Sequence, residues 1–134
     1  LKKHGTPRKP ADLKDHACLV YSSVQGNDIW RLRGASGEAG AVPVAGRMRS
    51  NNLSALLAAA RAHLGIAALP RYVAHDSLKA GRVQEVLKTC SLPEQEIHAV
   101  YPSPRLVPQK VQSFIAFLQG RFNAQWWEDL PGGA

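Results

Sequence analysis

Arg31 and Arg33 form one i,i+2 pair of guanidinium groups, and Arg47 and Arg49 form another. Alternate side chains of an extended chain share a face. If these segments are hairpin-linked strands, four cations stand together on one sheet face and attract an anion. The plain alternative is a solvated outer face whose charges meet scattered carboxylates. Ser50, Asn51 and Asn52 carry a second signal, because they directly precede a run with Leu53, Leu56, Leu57, Ala60 and Leu64 at helical spacing. A helix that starts at a strand end offers free backbone N–H groups and the positive end of its dipole to a carboxylate or phosphate. Simple N-capping uses the same residue types.

Other reactive residue types form no constellation. His16, His63, His75 and His98 fall in no His-x-x-x-His or Glu-paired spacing, so scattered surface or half-buried histidines are expected rather than a metal site. Ser22-Ser23 follows an apolar run as a nucleophile might, but the Gly-x-Ser-x-Gly turn that exposes such a serine is missing, and loop hydrogen bonding is the expected role. The glycines between Gly34 and Gly40 lack the Gly-Lys-Ser/Thr ending of a phosphate cradle. Cys18 and Cys90 are the two cysteines and neither belongs to a Cys-x-x-Cys pair, which favours a reducing cytoplasm over a disulfide or zinc framework. No catalytic residue, metal or cofactor is expected.

The elements that position these residues can be read from periodicity. Pro10 to His16 reads as a short helix, with proline in its first turn and Asp12 at its positive end. Ala17 to Tyr21 is an apolar run of strand length, and Gln25 to Asp28 supplies turn chemistry. Ile29 to Arg33 alternates, with Trp30 and Leu32 on one face; the next strand places Val42, Val44 and Met48 on one parity and Arg47 and Arg49 on the other. Gly34 to Gly40 turns the hairpin between them. The helix from Leu53 to Leu64 ends at Gly65, and Ile66 to Leu69 is a short buried strand, so helix, glycine and strand succeed one another in the α/β manner. A second helix runs from about Arg71 to Leu78 and stops at Gly81; Val83 to Leu87 and Ile97 to Tyr101 read as further strands. After Pro108, Val111, Phe114, Ile115, Leu118 and Phe122 make a long amphipathic helix that needs a packing partner. Trp126-Trp127 and Leu130 to Gly133 form the tail.

The chain has 134 residues with 45% hydrophobic and 20% charged side chains, enough for one domain with a real core. No apolar run approaches the ~18 residues that span a bilayer. Leu1 to Pro7 contains no apolar stretch of a signal peptide, and the start reads as an excision point inside a longer protein. A net charge of +7 invites a nucleic-acid reading. That reading rests on charge alone, because Lys2, Lys3, Arg8 and Lys9 crowd one end and the helix from Leu53 to Leu64 offers only Arg61 and His63 as exposed reading residues.

Several segments, in order, carry a resemblance. They are Leu1 to Pro7 leading to Pro10-Ala11-Asp12-Leu13 and His16-Ala17-Cys18-Leu19, then Gly46-Arg47-Met48-Arg49-Ser50-Asn51-Asn52 and Gly65-Ile66-Ala67-Ala68-Leu69-Pro70. Gly81-Arg82-Val83, Val86-Leu87, His98 to Pro102 and Lys110 to Leu118 continue the series. Together they resemble the effector-binding domain of LysR-type transcriptional regulators over essentially the whole chain up to the tail. The resemblance implies an α/β, periplasmic-binding-protein-like (type 2) fold: two subdomains joined by crossing strands, with a small effector in the cleft between them. On this reading residues 1–105 are the second subdomain with its crossover strands. Residues 106–134 are the final helix and tail of the first, which leaves Phe114, Ile115 and Leu118 without the sheet they cover in the family.

Carried over position by position, the resemblance implies an effector wall made by Tyr21, Ser22 and Ser23. Trp30 closes the opposite side of that loop, and the Ser50-Asn51 helix start and the Gly65-Ile66 turn border the same crevice. It implies a small effector, anionic or aromatic, a homo-oligomer, cytoplasmic residence, no membrane contact, and DNA binding only through a helix-turn-helix domain outside this sequence. A solute-binding module of a transporter shares the architecture and is the alternative.

Overall fold

The structure is a computed structural model and describes residues 5–22, 28–94, 96, 98–100, 107–122 and 126. Ser23, the Gln25 to Asn27 turn, Ile97, Tyr101, Trp127 and the Leu130 to Gly133 tail lie outside the described residues. The chain divides into two compact units, Leu1–Pro93 and Glu94–Ala134.

The first unit opens with a 3-10 helix, Pro10–Asp15, where the sequence suggests a short helix. Asp12 fixes its start: one carboxylate oxygen accepts the backbone N–H groups of Arg8 at 2.9 Å and Lys9 at 3.2 Å. Those hydrogen bonds, Arg8's first, hold the Asp12 carboxyl below its ordinary pKa. Five strands follow: β1 (Cys18–Tyr21), β2 (Ile29–Arg33), β3 (Ala39–Pro43), β4 (Gly46–Ser50) and β5 (Ile66–Ala67). Two helices belong to the same unit, α1 (Leu53–Arg61) and α2 (Arg71–Lys79).

β1 is the centre of a parallel sheet ordered β4-β1-β5. Covering on both faces explains its uninterrupted apolar sequence. Its alternation then sorts the core. Cys18 and Val20 face one cluster with Leu13, Val42 and Val44, on the side of the hairpin and the 3-10 helix. Leu19 faces the other, with Leu56 and Ala59 of α1. β2 and β3 pair antiparallel from Ile29↔Pro43 to Arg33↔Ala39, as the glycine-rich connection predicts, and they form a separate two-stranded sheet.

The continuous strand expected from Val42 to Arg49 is therefore two strands in two sheets. The chain changes partner at Val44-Ala45, one residue beyond the last pair of the hairpin, Ile29↔Pro43. Val44 donates to the Asp28 carbonyl at 2.7 Å, and Ala45 accepts from the Cys18 N–H at 3.2 Å.

Two helix ends share one device. After α2 the N–H of Gly81 bonds Leu78 O at 3.0 Å and that of Arg82 bonds Ser77 O at 2.8 Å, with Gly81 at φ 65°. After α1 the N–H of His63 bonds Ala60 O and that of Leu64 bonds Ala59 O, both at 3.0 Å, with His63 at φ 61°. Both are Schellman closures. Gly65 thus does not end α1 as expected, because His63 already takes the left-handed position. Its need is for space: a Cβ there would stand 2.5 Å from the Ala17 carbonyl oxygen.

Val83 to Leu87 is not a strand. Leu87 has φ 52°, outside the extended region of a strand, and packs against the cluster of Leu13, Cys18, Val20, Val42 and Val44; farther on, Arg33 and Ser91 exchange hydrogen bonds of 2.8 Å in an isolated bridge. His98, Ala99 and Val100, the described part of the other expected strand, carry no strand structure either.

The second unit contains α3 (Gln109–Arg121), starting directly after Pro108 as the spacing predicts. None of its described residues is fully buried, and Phe114 is 59% and Phe117 57% exposed. Val111, Ile115 and Leu118 are half-buried, so the apolar stripe read from the sequence divides, with Phe114 on the wetter side. Phe122 meets Trp126 edge-on with ring centroids 5.1 Å apart.

Candidate functional site

A parallel sheet delivers its chain ends to one edge, and the turns leaving that edge are where an open α/β sheet collects a ligand. The register aligns Tyr21 of β1 with Ser50 of β4, and the N–H of Ser22 donates to Ser50 O at 3.0 Å. Tyr21, Ser22, Ser50 and Asn51 are thereby brought together.

Ser50, which ends β4, and Asn51 and Asn52, which lead into α1, differ in what they hold. Asn52 is the N-cap, its Oδ1 accepting the Ala55 N–H at 3.1 Å. Ser50 Oγ accepts the Asn52 N–H at 3.1 Å and shapes the turn. The exposed Asn51 side chain makes no hydrogen bond among the described residues. The N–H groups of Leu53 and Ser54 in the first turn likewise have no partner among the described residues, the arrangement that accepts an anion at a helix start. Tyr21 is half-buried beside Leu19, Leu56 and Ala59.

Two of the other expected positions stand at the opposite end of the sheet. Ile66 is aligned with Cys18, so Gly65 and Ile66 lie at the amino end of β1, about 10 Å along the strand from Tyr21. Trp30 belongs to the hairpin sheet and packs against the cluster of Leu13, Cys18, Val20, Val42 and Val44. Ser23 lies outside the described residues. What β5 delivers to the carboxyl edge is Ala68-Leu69-Pro70 followed by the start of α2, a placement that requires the β1–β5 register and is invisible to periodicity alone.

The four arginines do not share a face. Arg31 and Arg33 are on the hairpin, Arg47 and Arg49 on the parallel sheet. Arg49 is engaged with Asp28 through both guanidinium Nη atoms, Nη2 to Oδ2 at 2.7 Å and Nη1 to Oδ1. That pairing lowers the Asp28 pKa and raises that of Arg49. By sequence Asp28 is turn chemistry only, since an aspartate at that place gives no sign of its long-range partner.

Two open surface grooves lie away from this edge. One, of about 540 Å³, is bordered by Lys14, His16, Ala45 and Arg47 at the amino ends of β1 and β4. The other, of about 550 Å³, lies between the end of α2 and the loop at Val83 to Lys88. Among the described residues no group of three His, Cys, Asp or Glu could hold a metal ion. Cys18 is fully buried, its thiol directed at the Leu13 and His16 carbonyls at 3.7 Å each, and burial pushes its pKa up to about 11. A thiol so held is a core side chain rather than a nucleophile.

Comparison with known proteins places this geometry in a wider set. The family model described as the LysR substrate binding domain matches residues 1–123. A probable HTH-type transcriptional regulator, LtrA, of Klebsiella pneumoniae is 29% identical over 121 residues, covering 88% of this chain and 39% of the relative. An HTH-type transcriptional regulator of Haemophilus influenzae is 32% identical over 111 residues, covering 83% and 38%. The full-length structure of the Vibrio cholerae virulence activator AphB, a member of the LTTR protein family, superposes with a TM-score of 0.75 at 27% identity, over 90% of this chain and 41% of that one. The chain thus spans about two-fifths of the length of these relatives.

Proposed function

The chain belongs to the LysR substrate-binding domain family, and from that premise we propose that it is the ligand-sensing part of a LysR-type transcriptional regulator. Its relatives are transcriptional regulators, not enzymes, and a transporter's solute-binding module is not favoured by any of them. The fold is the mixed α/β, periplasmic-binding-protein-like one that the regulatory domain of AphB adopts. No described helix is long and apolar enough to cross a membrane.

In this reading residues 1–105 are the second effector-binding subdomain and 106–134 contribute to the first. The effector is a small metabolite whose carboxylate or other anionic group meets the first turn of α1, with Asn51 as donor, Tyr21 as the aromatic wall and Ser22 beside it. DNA contact and oligomer geometry belong to the whole regulator in the cytoplasm. Effector binding shifts the balance between its assemblies.

The observation that carries the proposal is the convergence of Tyr21, Ser22, Ser50 and Asn51 at one sheet edge in a chain of this family. The test is a thermal-shift screen of the intact regulator against small carboxylates and aromatic acids, followed by Asn51→Ala. The expected result is a stabilising ligand whose dose-response moves about tenfold or more in the variant while DNA binding is kept, as for a lost charge-assisted hydrogen bond. An unchanged curve returns Asn51 to the ordinary surface.

A further inference from the structure

β4 is an edge strand, held on one side by the ladder to β1. Its last residues carry Ser50 and lead into Asn51, so whatever steadies its free side decides how well that corner is placed. Paired residues of neighbouring strands point to the same face. Arg49 is aligned with Val20, which faces the hairpin side, whereas Ser50 is aligned with Tyr21 and faces α1. Arg49 therefore leaves β4 toward the hairpin and closes a two-pronged ion pair with Asp28, the residue immediately before β2. Asp28 has a second attachment, its carbonyl accepting the Val44 N–H at 2.7 Å where the chain passes from one sheet to the other.

One residue thus joins the foot of the hairpin, the joint at Val44-Ala45 and the residue preceding Ser50. Resting on the reading of the carboxyl edge as the effector wall, we propose that Asp28 and Arg49 are positioning residues that fix the carboxyl end of β4, and through it Ser50 and Asn51, against Tyr21 and Ser22. The fork geometry matters as much as the charge. Two parallel N–H···O bonds restrict the angle between β4 and β2, which a single contact leaves free.

The experiment uses the intact chain without ligand and reads hydrogen exchange at the Ser22 amide, whose acceptor is Ser50 O. In Arg49→Gln and in Asp28→Asn, exchange at Ser22 is expected to rise about two- to fivefold, the range for a half-exposed pair. Protection at Leu56 and Ala62 inside and after α1 is expected to stay unchanged. The exchanged pair, Asp28→Arg with Arg49→Asp, is expected to recover at least half of the loss. Should the single variants fail to fold, the wild-type chain provides the same reading, since about 1 M salt screens an exposed pair and is expected to raise Ser22 exchange selectively. Unaltered Ser22 exchange in the variants and in salt, or a rise spread equally over α1, overturns the proposal. Because no ligand enters the measurement, that failure is distinct from failure of the effector reading, which appears as absent ligand stabilisation of the wild-type protein.

Discussion

At the scale of single residues, burial or pairing gives Cys18, Asp28 and Asp12 a pH range in which each matters. Cys18 is fully buried and its pKa rises from 9.0 to about 11. A group whose native pKa is raised contributes stability that is complete below its unfolded pKa and lost as pH climbs toward the native one. The fold is therefore expected to weaken between about pH 9 and pH 11, and Cys18→Ala to flatten that limb of a urea-unfolding series measured against pH. At pH 8 a thiol reagent should modify the half-buried Cys90 in the native chain and reach Cys18 only after denaturant is added. Asp28 behaves in the opposite sense. Hydrogen bonding to Arg49 lowers its pKa from the ordinary 3.8, so its contribution is present above that value and disappears as pH falls through the lower native one. Asp12 does the same through the Arg8 and Lys9 amides. Acid titration of Asp28→Asn followed by circular dichroism should show a shallower loss below pH 4 than the wild-type chain, and an identical acid limb would mean that the pair adds nothing to stability.

At the scale of elements, the two Schellman closures make a matched comparison. A non-glycine residue in the left-handed region costs about 1 kcal/mol or more, reduced for glycine by its larger entropy loss on folding. His63→Gly is expected to stabilise the chain by up to ~1 kcal/mol, and Gly81→Ala to destabilise it by about 1–2 kcal/mol, both measured by denaturant midpoints. Leu56→Ala, which empties the centre of the α1–β1 contact, is expected to cost ~2–5 kcal/mol. These elements differ in how plainly the sequence announces them. β1, β2, α1, α2 and α3 follow from apolar period, glycine and proline, because those signals are local. The split at Pro43 to Ala45 was hidden because Val42, Val44 and Met48 keep one parity through it; the parity continues while the partner changes. The left-handed His63 concealed the end of α1, since only glycine is read as a stop there. For the candidate site, the meeting of Ser50 and Asn51 with Tyr21 at one sheet edge was legible in part, because a helix start announces itself and Tyr21 ends an apolar run. Gly65 and Ile66 could not be placed without knowing which end of β1 faces which neighbour.

At the scale of the whole molecule, charge and shape point in different directions. A net charge of +7 attracts any polyanion, and Arg31, Arg33 and Arg47 form no salt bridge among the described residues, so weak association with DNA at low salt is expected. Sequence reading is another matter, because it needs a helix whose free face carries groups that bond base edges. α1 buries Leu56 and Ala59 of one face against Leu19 of β1 and exposes Ser54, Ala58 and Arg61 on the other; Arg71 of α2 is tied to Glu85 at 3.3 Å. The matched part of the HTH-type relatives is about two-fifths of their length. This chain alone is therefore expected to bind random and operator duplexes alike. If it neutralises about four phosphates, its affinity should fall roughly a hundredfold between 50 and 200 mM salt, from a slope of ~0.9 per phosphate in the logarithm. Fluorescence anisotropy with the two duplexes over that salt range makes the check. A complex that prefers one sequence and survives at 150 mM salt would place base recognition inside this chain, and with it overturn the assignment of these residues to sensing alone.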